Sequence, residues 1–179
     1  MHPFIENFRK SVIPALQKEF GYKNVWQAPR VMKVTINVGA GRALKDAEFV
    51  GSAETTLTRI SGQKPVRTKA KKSIAAFKIR QGSVIGLKVT LRRAKMYDFL
   101  EKLINVTLPR VRDFHGLSVK AVDATGNMSI GFKEHIAFPE IRSDEIESIH
   151  GLEVTISTNA KNKQEGLALF KQLGFPFSH

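Results

Sequence analysis

A chain of 179 residues with 42% hydrophobic content can bury a proper core and fits a single domain. The absence of cysteine excludes disulfides and thiolate zinc sites and points to a reducing compartment, the cytoplasm; the opening residues show no cleavable leader pattern. A net charge of +13 calls for an anionic partner, yet no apolar run nears the length of a membrane span and no amphipathic basic helix suits a lipid surface, so no membrane role is expected.

Apolar residues at Phe4, Phe8, Val12, Leu16 and Phe20 recur at helical spacing and predict a helix over 3–20. Pro14 should kink or divide it, because proline lacks a backbone donor and crowds the preceding turn. Residues 22–30 have no period and read as a connection in which Trp26 packs. Val34, Ile36 and Val38 then alternate with Lys33, Thr35 and Asn37, predicting a half-buried strand over 31–38 with a polar, basic outer face. Gly39-Ala40-Gly41 invites a dinucleotide-binding reading. Leu44 stands where the third glycine belongs, however, and no acidic residue ends a following strand at the needed distance.

A helix over 45–60 is predicted from Val50, Ala53, Leu57 and Ile60, with Asp46 and Glu48 in its first turn and Gly62 after it. A short strand near 66–70 follows. Residues 71–84 place Gln81, Gly82 and Ser83 between two β-like runs, which predicts a long, mobile, basic hairpin-like loop carrying Phe77, Lys78 and Arg80. Ile85, Leu87, Val89 and Leu91 face inward on a strand over 85–92, with Lys88, Thr90 and Arg92 outward. All of this lies in or beside the stretch from Arg59 to Lys95, which holds twelve Lys or Arg and no Asp or Glu. The rest of the chain carries seventeen basic against sixteen acidic residues, so the basicity is concentrated. Apolar residues threaded through the stretch make it folded surface, and such surface usually meets phosphate. Lys33, Thr35, Asn37, Lys88, Thr90 and Arg92 displayed together would pair cations for phosphates with hydroxyls and amides for sugars and base edges, which suits structured RNA.

A helix from Ala94 to about Leu108 is expected to end at Pro109. Arg110 and Arg112 form a second, smaller basic cluster. Strands are predicted over 127–132 and 152–156, with the acidic residues Glu140, Asp144, Glu145 and Glu147 between them. A last helix begins at Asn162, with Glu165 as the partner in a capping box, and runs to Leu173. The five histidines are scattered without ligand spacing and read as surface residues or local hydrogen-bonding groups; no metal site is expected. No phosphate loop, serine elbow or paired carboxylates occur, so no cofactor is expected and catalysis is not the role.

The element order predicts an α+β fold: a mainly antiparallel sheet with helices packed on one face and a basic RNA-binding face on the other, in one domain over 1–179 with the mobile loop at about 71–84. A dinucleotide enzyme built on Gly39 and Gly41 and a general DNA-binding protein are the rival readings.

The run from Leu57 to Arg80 (LTRISGQKPVRTKAKKSIAAFKIR), followed by Ile85–Arg92 (IGLKVTLR), Leu108–Phe114 (LPRVRDF), Phe138-Pro-Glu-Ile and the ending Gly174-Phe-Pro-Phe, resembles the bacterial L-five family of large-subunit ribosomal proteins over essentially the whole chain. The resemblance implies a ribosome-bound protein that binds 5S ribosomal RNA and attaches it to the central protuberance of the large subunit, beside 23S ribosomal RNA and other proteins of that region. Position by position it puts Asn37, Gln63 and Thr90, with neighbouring Lys33, Lys64, Arg67, Thr68, Lys69 and Arg92, at the 5S RNA surface. Lys71, Lys72 and Lys88 are counted into the same surface. It implies that the loop with Phe77, Lys78, Arg80, Gln81 and Gly82 reaches the elbow of the peptidyl-site transfer RNA. Arg110 and Arg112, with the acidic patch, would help form an intersubunit bridge to the small-subunit head protein S-thirteen.

Overall fold

The computed structural model describes residues 3–41, 48–141 and 149–178. Five strands, β1 (Val31–Gly39), β2 (Val66–Lys69), β3 (Val84–Leu91), β4 (Met128–Phe132) and β5 (Leu152–Thr158), form one sheet in the order β2-β3-β1-β5-β4. The sheet is antiparallel. β2 pairs antiparallel with β3. Ala40, just past β1, donates to the carbonyl of Ile85 at the start of β3 (2.9 Å), and Asn159, just past β5, donates to Arg30, just before β1 (3.2 Å). Thr158 at the end of β5 likewise donates from its backbone to the Asn127 side chain, just before β4 (2.9 Å). The α+β class expected from the sequence is therefore the one observed.

Six helices accompany the strands among the described residues: α1 (Pro3–Asn7), α2 (Ile13–Phe20), α3 (Glu48–Ser61), α4 (Arg93–Lys102), α5 (Leu108–Arg110) and α6 (Lys163–Gln172). Pro14 does divide the first predicted helix, and the structure shows how. A π-helical turn over Phe8–Val12 separates α1 from α2, and Ile13 donates to the Phe8 carbonyl, five residues back. The proline then sits in the first turn of α2, where its missing donor costs no bond. The same device recurs between α4 and α5. Leu103–Thr107 form a π-helical turn, Leu108 donates to Leu103, and Pro109 opens α5. Pro109 therefore does not end the helix as predicted. The wider turn relieves the clash of its ring with the preceding carbonyls, and the helical path continues to Arg110 before Val111 turns extended.

The chain divides into two compact units, one of Met1–Val34, Leu91–Ile130 and Thr155–His179, the other of Thr35–Thr90 and Gly131–Val154. In the first, Val12, Leu16, Leu100, Leu103, Leu108 and Phe170 are fully buried. Phe4 of α1 meets Tyr97 of α4 with ring centroids 6.1 Å apart. Asn162 caps α6 by accepting from the Glu165 backbone (2.9 Å). Glu165 reaches back to the backbone of Lys161 (2.9 Å), one residue before the cap, so the predicted capping box is closed one position early. In the second unit Ile36, Val38, Ala53, Leu57, Ile60, Leu87 and Val89 make the core. Burial of each larger aliphatic side chain among these contributes about 1.5–3 kcal/mol. Phe49, absent from the predicted stripe of α3, is buried there too. The predicted helix start at 45–47 lies outside the described residues.

One further expectation is revised. Trp26 does not pack: 74% of its surface is exposed, in a 3-10 turn over Val25–Gln27. Of the two roles expected for the histidines, His135 and His150 take the second, local hydrogen bonding: the His150 backbone donates to His135 Nδ1 (3.3 Å). Both are buried, with rings stacked 4.2 Å apart, and Phe49 meets His150 edge-on at 5.6 Å.

Candidate nucleic-acid interface

Burial alternates along β3, where Leu87, Val89 and Leu91 are covered while Lys88 is exposed and Thr90 half-buried. β1 does the same from Val34 to Gly39, with Thr35 and Asn37 on the open side and Lys33 in phase with them earlier on the strand. Counting back from the Ala40–Ile85 bond in antiparallel register sets Asn37 opposite Lys88 and Thr35 opposite Thr90. The register of β2 adds Val66 beside Lys88 and Thr68 beside Gly86 to this open face. The floor is thus made of hydroxyl, amide and ammonium groups around one exposed valine, without a cluster of aromatic rings. It suits hydrogen bonding to sugar and base edges, with positive charge supplied singly.

Gly86 shapes the floor. A Cβ there would stand 2.8 Å from the Thr68 hydroxyl and 3.1 Å from the Val38 carbonyl, so only glycine lets these groups close over the strand. The next residue toward the loop departs from expectation. Ile85 does not point inward; it is 37% exposed. The pairing steps from Thr68↔Gly86 to Lys69↔Val84, which leaves Ile85 as the extra residue of a bulge and turns it out of the alternation.

The other expected residues fall into separate groups. Arg67 lies opposite the buried Leu87, so it points to the covered side, away from Lys88 and Thr90. It donates to Glu54 of α3 from Nε (3.0 Å) and Nη2 (2.6 Å). Lys64 approaches the other oxygen of the same carboxylate at 3.9 Å. Gln63 follows the C-terminal turn of α3, its backbone donating to the Ser61 hydroxyl (3.2 Å), while Gly62 at φ 62° makes the left-handed exit. Lys69, Lys71 and Lys72 are exposed, as is Arg92, which lies one residue past β3 in extended conformation.

The excursion between β2 and β3 is hairpin-like, as expected. Ala70 donates to Ser83 (2.8 Å), Gln81 donates to the Ser73 hydroxyl (2.9 Å), and Ile74 and Ile79 exchange two backbone bonds (2.9 and 3.1 Å). Above that bridge, Ala75–Phe77 make a 3-10 turn closed by Lys78 at φ 55°, and Phe77 is 68% exposed. A phenylalanine raised on a turn with Lys78 and Arg80 beside it offers a flat apolar surface with charge at its edge. Gln81 and Gly82 are exposed on the returning limb.

Arg110 and Arg112 are exposed, and Arg112 lies 3.6 Å from Asp113. Of the acidic patch, Asp144, Glu145 and Glu147 lie outside the described residues. Among the described residues no group of three or more His, Asp or Glu could hold a metal ion, and no helix is long and apolar enough to cross a membrane. The sequence did not reveal the engagement of Glu54 with two of the expected cations, because the acid stands thirteen residues from Arg67 on another element.

Comparison with known proteins bears on this surface. A family profile described as Ribosomal protein L5 matches residues 24–80, and a second profile, for the C-terminus of the same ribosomal family, matches residues 84–177. The chain is 55% identical over 174 residues to the large ribosomal subunit protein uL5 of Desulforapulum autotrophicum, covering 97% of each. It is 54% identical over 172 residues to that of Geotalea daltonii, covering 96% of each. The counterpart in Desulfatibacillum aliphaticivorans is 56% identical over 170 residues, with 95% of each covered.

Proposed function

This chain belongs to the ribosomal protein L5 family and is a structural constituent of the large ribosomal subunit, not an enzyme, and we propose that it binds 5S ribosomal RNA. The observation that carries the reading is the uncovered sheet face on which Thr35, Asn37, Thr68, Lys88 and Thr90 alternate with the core. Hydroxyl and amide groups on a rigid sheet are positioned before binding, so they can select one folded RNA by shape and hydrogen bonding. The cations at Lys33, Lys69, Lys71, Lys72 and Arg92 add phosphate attraction around it. In this reading the whole chain serves as one RNA-binding domain that fixes 5S RNA in the central protuberance, next to 23S RNA.

The hairpin over 71–84 is the second contact in the proposal. Its exposed Phe77, with Lys78, Arg80, Gln81 and Gly82, faces the elbow of a transfer RNA in the peptidyl site, and the proposal includes that the hairpin moves to follow that partner. Arg110 and Arg112 belong to an intersubunit bridge with the small-subunit head protein S-thirteen.

The test is a binding titration of purified protein with 5S RNA at physiological salt, in the presence of excess transfer RNA and duplex DNA. The complex is expected to survive both competitors. Asn37→Ala combined with Lys88→Ala should weaken it and lower the log-log salt slope by about 0.7–0.9 for the one charge removed. Displacement by duplex DNA would reduce the surface to a general electrostatic footprint and overturn the reading.

A further inference from the structure

A groove of about 990 Å³ opens in the first of the two units, between the turn that carries Trp26 and the start of α4. Arg9, Arg30 and Arg93 line it together with Trp26, Met32 and Tyr97, and no carboxylate is among its described lining residues. We propose that this groove takes an unstacked nucleotide of a single RNA strand, with its base on the Trp26 ring and its phosphates among the three arginines. The proposal goes beyond the 5S RNA reading and uses none of the sheet-face residues that carry it.

Two features support nucleic acid over other anionic partners. The indole is presented, not packed: it is 74% exposed, and the turn beneath it is fixed by the Asn24 side chain, which accepts from the Trp26 backbone (3.0 Å). The Arg30 guanidinium lies over the indole ring, 5.5 Å from its centroid, so one face already carries a planar cation and the base is assigned to the other. Arg93, at the first position of α4, holds φ 54°, a left-handed conformation that costs a non-glycine residue about 1 kcal/mol or more and persists where the surroundings enforce it. Tyr97 supplies a neutral hydroxyl: burial raises its pKa, and the lowering effect of Arg30 and Arg9 does not cancel this. An acidic peptide would satisfy the charges but leave the exposed indole face without a planar partner. A nucleotide uses both, and stacking on an aromatic side chain beside arginines is the sequence-tolerant way in which proteins hold single strands.

Trp26 is the only tryptophan of the chain, so its fluorescence reports on this groove alone. Titrating the full-length protein with single-stranded hexaadenylate should quench it saturably, and more weakly as salt rises. Arg30→Ala with Arg93→Ala should cut the salt slope by about 0.7 per arginine. Trp26→Ala, followed by anisotropy of a labelled hexaadenylate, should weaken binding about 5- to 150-fold, the loss expected for one stacked base. Trp26→Phe should restore part of it. Because the ring is exposed, circular dichroism should be unchanged in each variant. Asn37→Ala with Lys88→Ala should leave the quenching as it is, which separates this site from the sheet face. Absence of quenching, loss of quenching in the sheet-face variant, or equal quenching by a glutamate hexapeptide would each overturn the proposal.

Discussion

Arg67 places both of its hydrogen bonds to Glu54 on a single carboxylate oxygen, from Nε at 3.0 Å and Nη2 at 2.6 Å, while Lys64 stands 3.9 Å from the other oxygen. The pair joins β2 to α3, and it sets a limit on how much of the basic stretch is available to phosphate. Glu54 keeps 17% of its side chain exposed and Arg67 55%, so water screens the pair partly. Arg67→Ala is expected to cost about 1 kcal/mol in chemical denaturation, at the low end for charge-assisted bonds. An unchanged midpoint would show that the pair holds nothing together.

Glu54→Gln separates the structural part of this pair from the electrostatic part. The amide keeps one acceptor for Arg67 but removes the negative charge that faces two cations. If the chain binds RNA through this region, the variant should bind more tightly than the parent at low salt and show a steeper salt dependence, by up to about 0.9 in log-log slope. Titration of 5S RNA at several salt concentrations reads this directly, and an identical slope would remove Arg67 and Lys64 from the RNA surface.

Glycines at two positions should respond in opposite directions to the same substitution. Gly166 of α6 lies directly on the backbone of Gly126, so a Cβ there would meet main-chain atoms that cannot rotate away. Gly166→Ala is expected to destabilise by about 1–3 kcal/mol. Gly51, exposed within α3, has open space where a Cβ would stand. Gly51→Ala should stabilise by about 0.5–1 kcal/mol through helix propensity. Thermal melts of the two variants should move apart on either side of the parent.

Much of the open face was legible because strand alternation is local: Thr35, Asn37, Lys88 and Thr90 stand where period two puts them. What depended on a partner element was not legible. The side of the sheet taken by Arg67 follows from its pairing with Leu87, and the outward turn of Ile85 follows from a bulge; both need a register that sequence period does not contain. The stacking of His135 on His150 joins residues fifteen apart with no periodic signal between them. Trp26 was misplaced for a different reason. A large apolar residue is usually buried, and nothing in the residues around it signals the exposed 3-10 turn on which it stands. Pro14 and Pro109 marked the right places, but a proline is compatible with either a stop or a widened turn, and the residue pattern does not say that the helical path continues through a π turn.

Asp123 gives a pH prediction with a definite sign. Burial alone would raise its carboxyl pKa, but bonds from the side chain and backbone of Asn127 and of Thr125, at 2.8–3.0 Å, outweigh this and hold it below its ordinary value of 3.8. A carboxyl depressed in the folded state contributes stability that is fully present above its unfolded value and is lost as pH falls through the folded one. These bonds close the turn that leads into β4, where Asn127 also accepts from Thr158 (2.9 Å). Asp123→Ala should therefore cost about 1 kcal/mol at neutral pH, discounted for the exposure of the site. In denaturation series run from neutral pH into the acid range, the difference between parent and variant should hold steady above about pH 4 and shrink below it. A difference that persists undiminished in strong acid would show that the turn depends on the shape of the side chain and not on its charge.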